Sequence, residues 1–190
     1  MRMKPEIAIL LAGILPAAAL AVPTAVITFN KPLPGTTTAA DPTLAGPIIS
    51  DKIIPYSTPP GAALPAKGTV QVRVVRGADG RLNFYWRVRA SANSRDVVRA
   101  LEIYHFPRRV YDANWRSDGL GTNVPAVVGG TVIPGPLVWR MHFLFRPSIG
   151  PGQESRFFFL RGRTPGTQRA GIRVRFGGSR SAMLPAVGPR

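Results

Sequence analysis

Residues 68–91 read GTVQVRVVRGADGRLNFYWRVRAS, and the alternation in this stretch decides the fold class. Val70, Val72 and Val74 recur at a spacing of two with Gln71 and Arg73 between them, the period of a strand whose side chains point to opposite faces. Leu82, Phe84, Trp86 and Val88 repeat the pattern against Asn83, Tyr85, Arg87 and Arg89. Gly77 and the Asp79-Gly80 pair supply the positive-φ positions that a tight reversal needs. The expected unit is a β-hairpin with Val74 opposite Leu82, Val72 opposite Phe84 and Val70 opposite Trp86, apolar on one face and basic on the other. An isolated two-stranded hairpin is at best marginal in water, so the apolar face requires a second layer.

Downstream residues supply that layer. In LVWRMHFLFR, Leu137, Trp139, Met141, Phe143 and Phe145 alternate with Val138, Arg140, His142, Leu144 and Arg146. Between Glu154 and Arg163, Phe157, Phe159 and Arg161 oppose Arg156, Phe158 and Leu160, apolar enough on both faces for a central strand. Ile172, Val174 and Phe176 alternate with Arg173 and Arg175. Over Val97–Phe106, Leu101, Ile103 and His105 fall on one face and Glu102, Tyr104 and Phe106 on the other; Arg-Ala-Leu-Glu leaves a short helix as the alternative, while the β-branched and aromatic residues favour a strand. Pro47–Tyr56 has a proline at its start and another at Pro55, which suits an edge strand. Val110–Ser117 is a weaker strand, Asn123–Pro136 a connection with a small strand at Ala126–Val128, and Ser181–Leu184 a short last strand.

Twenty glycines and twenty prolines fit many turns between short strands. The pattern predicts an all-β chain forming an antiparallel two-sheet β-sandwich, Ig-like or jelly-roll-like, of about seven to nine strands; a closed antiparallel barrel is the alternative.

The ends read differently. Arg2 and Lys4 precede the apolar run Ile7–Ala21, which closes on Ala19-Leu20-Ala21, the layout of a secretory signal cleaved after Ala21. A retained signal anchor is the alternative. The expected organisation is a signal peptide at 1–21, a flexible Pro/Thr-rich leader at 22–43, a β-sandwich domain at 44–185 and a tail at 186–190. No second hydrophobic span follows, so the expected product is periplasmic or extracellular, with no stable membrane span after cleavage.

Four pieces together resemble a family of exported bacterial β-sandwich domains found in proteins with a PEP-CTERM sorting tail: AGPIISDKIIPYS, GRLNFYWRV, YDANWRSDGLGTNVP and IGPGQESRFFFLRGRT. The resemblance spans roughly Ala40 to Pro185 and implies a fold and an extracellular setting; the hydrophobic sorting tail of such proteins is missing from this sequence. It carries no chemistry onto particular residues.

The chain has a formal charge of +16 from 25 Lys and Arg against 9 Asp and Glu, with 21 of the cations arginine. Such an excess points to an anionic partner, and equally follows from a codon usage that favours Arg, Ala, Gly and Pro together. The absence of cysteine excludes disulfides, zinc–thiolate sites and a cysteine nucleophile. His105 and His142 are the only histidines, and no metalloprotease, nucleophile-elbow or P-loop pattern occurs. Asp112 and Asp118 flank Trp115, a pairing that a glycoside hydrolase would use; as strand-surface and turn residues they have a simpler explanation. No catalytic residue, metal site or cofactor is expected.

The one constellation with chemical content is the polar face of the hairpin. Gln71, Arg73, Tyr85, Arg87 and Arg89 lie side by side, joined by Arg173 and Arg175 if the last strand shares that sheet. Arginine forks pair with carboxylates, phosphates and sulfates, and Tyr85 is placed to stack on a sugar or base. The expected function is a non-catalytic exported structural or binding module that contacts an acidic polysaccharide or other anionic polymer, without specific nucleic-acid binding; the alternative is an exported hydrolase acting on glycans.

Overall fold

The structure, a computed structural model, describes residues 22–24, 31–107, 111–133, 138–162, 165–178 and 181–189. The signal-peptide segment 1–21 and the extended piece expected at Ala25–Phe29 lie outside the described residues. Two antiparallel sheets face each other and do not close into a barrel. Strands β1 (Val22–Thr24), β2 (Lys31–Pro32), β3 (Ile48–Ser57), β4 (Lys67–Arg76), β5 (Leu82–Ala90) and β6 (Val98–Phe106) are followed by β7 (Tyr111–Trp115), β8 (Pro125–Ile133), β9 (Val138–Ile149), β10 (Phe158–Arg161), β11 (Thr167–Phe176) and β12 (Ala182–Pro189). The first sheet runs β1-β7-β10-β5-β4-β3 and the second β12-β11-β6-β9-β8-β2.

The quoted stretch forms the β4–β5 hairpin, and its seven apolar side chains are all buried, Trp86 and Phe84 completely. The pairing differs from expectation by two residues: Val74 faces Phe84, Val72 faces Trp86 and Val70 faces Val88. A two-residue slip leaves every side chain on its own face, so the apolar pattern is blind to it. The turn selects the register instead. The N–H of Gly77 donates to the carbonyl of Arg81, and Gly80 takes φ 76°. This leaves a three-residue loop with glycine in the left-handed position.

Phe158 and Leu160 from β10 meet the hairpin's apolar row, and Leu101, Ile103, Met141, Phe143, Phe145, Ile172 and Val174 close the core from the other sheet. Phe143 and Phe158 cross between the sheets with ring centroids 4.6 Å apart. β10 lies between β7 and β5, the central place its apolar faces predicted, and β3 forms an edge as its prolines predicted. β6 is a strand, not a short helix.

Four further expectations change. Pro125–Ile133 is a full strand, concealed in the sequence by Gly129-Gly130, which contribute no side chain to the alternation. β12 continues to Pro189, paired along β11, so residues 186–189 extend the last strand instead of trailing as a tail. His105 departs from the inward row of β6: a bulge separates Tyr104 from Phe106, His105 adopts φ 64°, and its side chain is exposed.

The stretch expected as a flexible leader is built into the sandwich, first through β1 paired with β7 and then from Lys31 onward. β2 pairs with β8, then Leu33 is buried, and Thr36 exchanges backbone bonds with Trp115 and Ser117 on crossing to the first sheet. A short 3-10 turn, Pro42–Leu44, is capped by Asp41 and sets Leu44, 1% exposed, on the outer face of that sheet. Leu44, Val75, Tyr85 and Phe159 form a second, smaller core there.

Candidate functional site: arginine faces on both sheets

Alternation along β4 and β5 turns Gln71, Arg73, Tyr85, Arg87 and Arg89 away from the main core, as expected. The face they form is largely paired internally, four guanidiniums with Arg116 included against three carboxylates. Arg73 donates from Nε and Nη2 to Asp51 at 3.0 and 2.6 Å, and Gln71 donates to the other oxygen of the same carboxylate at 2.8 Å. Arg87 donates to Glu154 at 2.8 Å, with Arg89 Nε 3.2 Å from the same oxygen. Arg116, just beyond β7, grips Asp118 through two bonds of 2.6 and 2.9 Å. Burial alone would raise the carboxyls of Asp51 and Asp118; the bonds from Arg73 and Gln71, and from Arg116 and Thr38, outweigh it and hold both below their ordinary values, Asp118 far below.

Tyr85 is no stacking platform. It is 3% exposed, its hydroxyl donates to the carbonyl of Leu44 at 2.9 Å, and burial pushes its phenol up to about 12. Its ring packs against Phe159 and, edge-on, against Phe157. Missing this followed from missing the strap: only a leader that folds back could cover the position.

Between these pairs lies a cleft of about 490 Å³, its walls including Gln71, Arg73, Arg87, Arg116 and Asp118 and its apolar part Val75, Phe157 and Leu120. Gly121, at φ 100°, brings the loop after β7 against Ser155, where an added Cβ would lie 2.3 Å from the Ser155 carbonyl oxygen. That contact fixes Arg116–Leu120 beside the hairpin.

Arg173 and Arg175 do not join this surface. β11 belongs to the second sheet, which places both on the opposite outer face of the sandwich. There Arg173, Glu102, His142 and Gly129 form one cross-strand row over β11, β6, β9 and β8, and Tyr104 lies opposite Arg140 in the next. Glu102 is 2% exposed. Tyr104 donates to its Oε2 at 2.6 Å; Arg173 approaches the same oxygen at 3.7 Å, while Arg175 and Arg140 approach Oε1 at 3.2 and 3.6 Å. Arg173 also lies over the Tyr104 ring at 4.9 Å. Three guanidiniums thus share one carboxylate, which leaves two positive charges uncompensated. The Nε of Arg140 is buried with no hydrogen-bond partner among the described residues. Exposed Arg169 continues the outward row of β11.

His142, half-buried beside this cluster, has its pKa lowered by burial first and by the Arg140 charge second. Glu102 faces it across the strands, but both oxygens of that carboxylate are occupied by Tyr104 and the arginines. Asp118, held ionised, is the reverse of the raised-pKa acid that glycoside hydrolysis uses. Among the described residues no three His, Asp or Glu side chains converge as a metal site would require, and no helix is long and apolar enough to cross a membrane.

The sequence reading missed Glu102, Tyr104, Arg140, Arg116 and Phe157. One signal was available: Glu102 is the only acidic residue on β6, β9 and β11, whose outward positions are rich in arginine. No protein-family model, no curated protein and no solved structure matches this chain.

Proposed function

We propose that the chain is a non-catalytic module of the cell envelope or extracellular matrix that binds an anionic polymer, an acidic polysaccharide, through the outer face of β11, β6 and β9. One observation carries this reading: Arg140, Arg173 and Arg175 surround a single buried carboxylate, so the centre of that face holds surplus positive charge on groups held in place by the sheet. Guanidinium forks match carboxylate and sulfate oxygens, and their weak hydration keeps the cost of desolvation low. Arg169, Arg173 and Arg175 extend the charge along one strand over roughly 20 Å, the dimension of a polymer segment rather than of a single small anion. The secretory layout of residues 1–21 and the resemblance to exported domains support an extracellular partner over nucleic acid.

Calorimetric titration of the full chain with heparin and with polyuronate tests the reading. Affinity is expected to fall steeply with added salt, and Arg169→Gln with Arg175→Gln to lower it about tenfold while Arg73→Gln changes it less than about twofold. Affinity indifferent to salt, or to the β11 pair of substitutions, overturns it.

A further inference from the structure

We infer that the cleft on the other sheet is a separate binding site for an uncharged polyhydroxylated ligand, a neutral oligosaccharide. This site does not depend on the polyanion reading, because it lies on the opposite face and obeys different electrostatics. Its three guanidiniums, Arg73, Arg87 and Arg116, are already bonded to Asp51, Glu154 and Asp118 at 2.6–3.0 Å. The one surplus charge among these ion pairs belongs to Arg89, which shares Glu154 with Arg87 and is not part of the cleft lining, so an anion entering the cleft must displace a carboxylate that is already in contact. A hydroxyl-rich neutral molecule faces no such competition.

The polar groups suit that chemistry. Arg73 and Arg116 each engage their carboxylate through Nε and Nη2. Each guanidinium therefore keeps its Nη1 donors outside those carboxylate bonds. Asp118 offers carboxylate lone pairs at the cleft wall, and Gln71, whose amide nitrogen is bound to Asp51, offers its carbonyl oxygen as an acceptor. A hydroxyl both donates and accepts, so neighbouring hydroxyls on a ring can satisfy an arginine and a carboxylate at once. The ion pairs and the Thr38 bonds to Asp118 hold these groups in place before any ligand arrives.

The apolar groups suit it as well. Phe157 and Leu120 supply the apolar lining on which the C–H face of a sugar ring would rest, Leu120 being 73% exposed. Arg73 and Arg87 sit 4.9 and 5.7 Å from the Phe157 ring centroid, which ties the aromatic surface to the polar one. The volume of about 490 Å³ falls within the range of sites that bind small molecules.

Calorimetric titration of the full chain with maltohexaose, cellohexaose and chitohexaose, and with hexagalacturonate as the charged counterpart, tests the inference at about 50 and 500 mM NaCl. At least one neutral hexasaccharide is expected to bind saturably with an affinity that salt changes less than about twofold. Phe157→Ala is expected to lower that affinity about tenfold. Because Phe157 also packs on Tyr85, Leu120→Ser is the second variant: on an exposed side chain it should weaken binding about threefold and leave the unfolding midpoint unchanged. Arg169→Gln with Arg175→Gln should leave neutral-sugar binding intact. The inference is overturned if none of the three neutral sugars binds, if both cleft variants bind like the parent, or if hexagalacturonate alone binds and salt abolishes it.

Discussion

On the outer face of the first sheet, Arg73 and Arg116 each have their own carboxylate, Arg87 shares Glu154 with Arg89, and a strap from the N-terminal side lays Leu44 over Tyr85. On the outer face of the second, Arg140, Arg173 and Arg175 crowd one buried glutamate, and Arg169 stands exposed along the same strand. Arginine count is therefore a poor guide to surface potential. What matters is how many carboxylates the fold brings within bonding distance, and whether another segment covers the rest. The face that looks most basic along the chain keeps a single excess charge among its ion pairs, and the larger surplus lies on the face that alternation alone did not single out.

Removing the glutamate at the centre of the charged face should have the largest effect. Glu102→Gln leaves three guanidiniums around a neutral amide and is expected to destabilise the fold by about 3–5 kcal/mol in urea unfolding. A loss under about 1 kcal/mol would mean that Glu102 does not organise the cluster. The strap comes next: Leu44→Ala should cost about 2–4 kcal/mol, because Leu44 fills a core on a face that would otherwise be open. A neutral result would show that the strap is peripheral to stability.

Acidification separates the faces further. The lowered pKa of His142 means that the unfolded chain takes up that proton first, so stability is present above the ordinary histidine value of about 6.5 and is lost as the pH falls below it. The melting temperature should fall between about pH 7 and pH 5, and His142→Gln should flatten that slope. On the first sheet, Asp51 and Asp118 have depressed pKa values, so their contribution is present above the ordinary aspartate value of about 3.9 and is lost only below it. The smallest effect belongs to Asp51→Asn, where a partly exposed pair is disrupted; less than about 1 kcal/mol is expected. A cost as large as that of Glu102→Gln would erase the distinction between a shared buried carboxylate and a set of separate surface pairs.

Much of the fold was legible because its signals are local. Val70–Val74, Leu82–Val88 and Met141–Phe145 carry unbroken alternation, and each lies inward as read. Pro125–Ile133 was illegible as a strand because two glycines interrupt the pattern, and His105 because one left-handed residue rotates the strand out of phase. The candidate site was half legible. Arg73, Arg87 and Arg89 point outward as expected, but Asp51 reaches them from β3 and Glu154 from the connection before β10, and no spacing along the chain announces those pairs.

Two-residue periodicity by itself determined that this chain builds antiparallel sheets with greasy interiors and cationic exteriors, since a strand's facing is set by covalent geometry between neighbours. Which sheet β11 entered, which hairpin register the turn chose, and which arginines met a carboxylate were decided only by the tertiary structure. Those outcomes depend on segments tens of residues apart arriving at the same place, and their energies exist only once the chain has closed around its core.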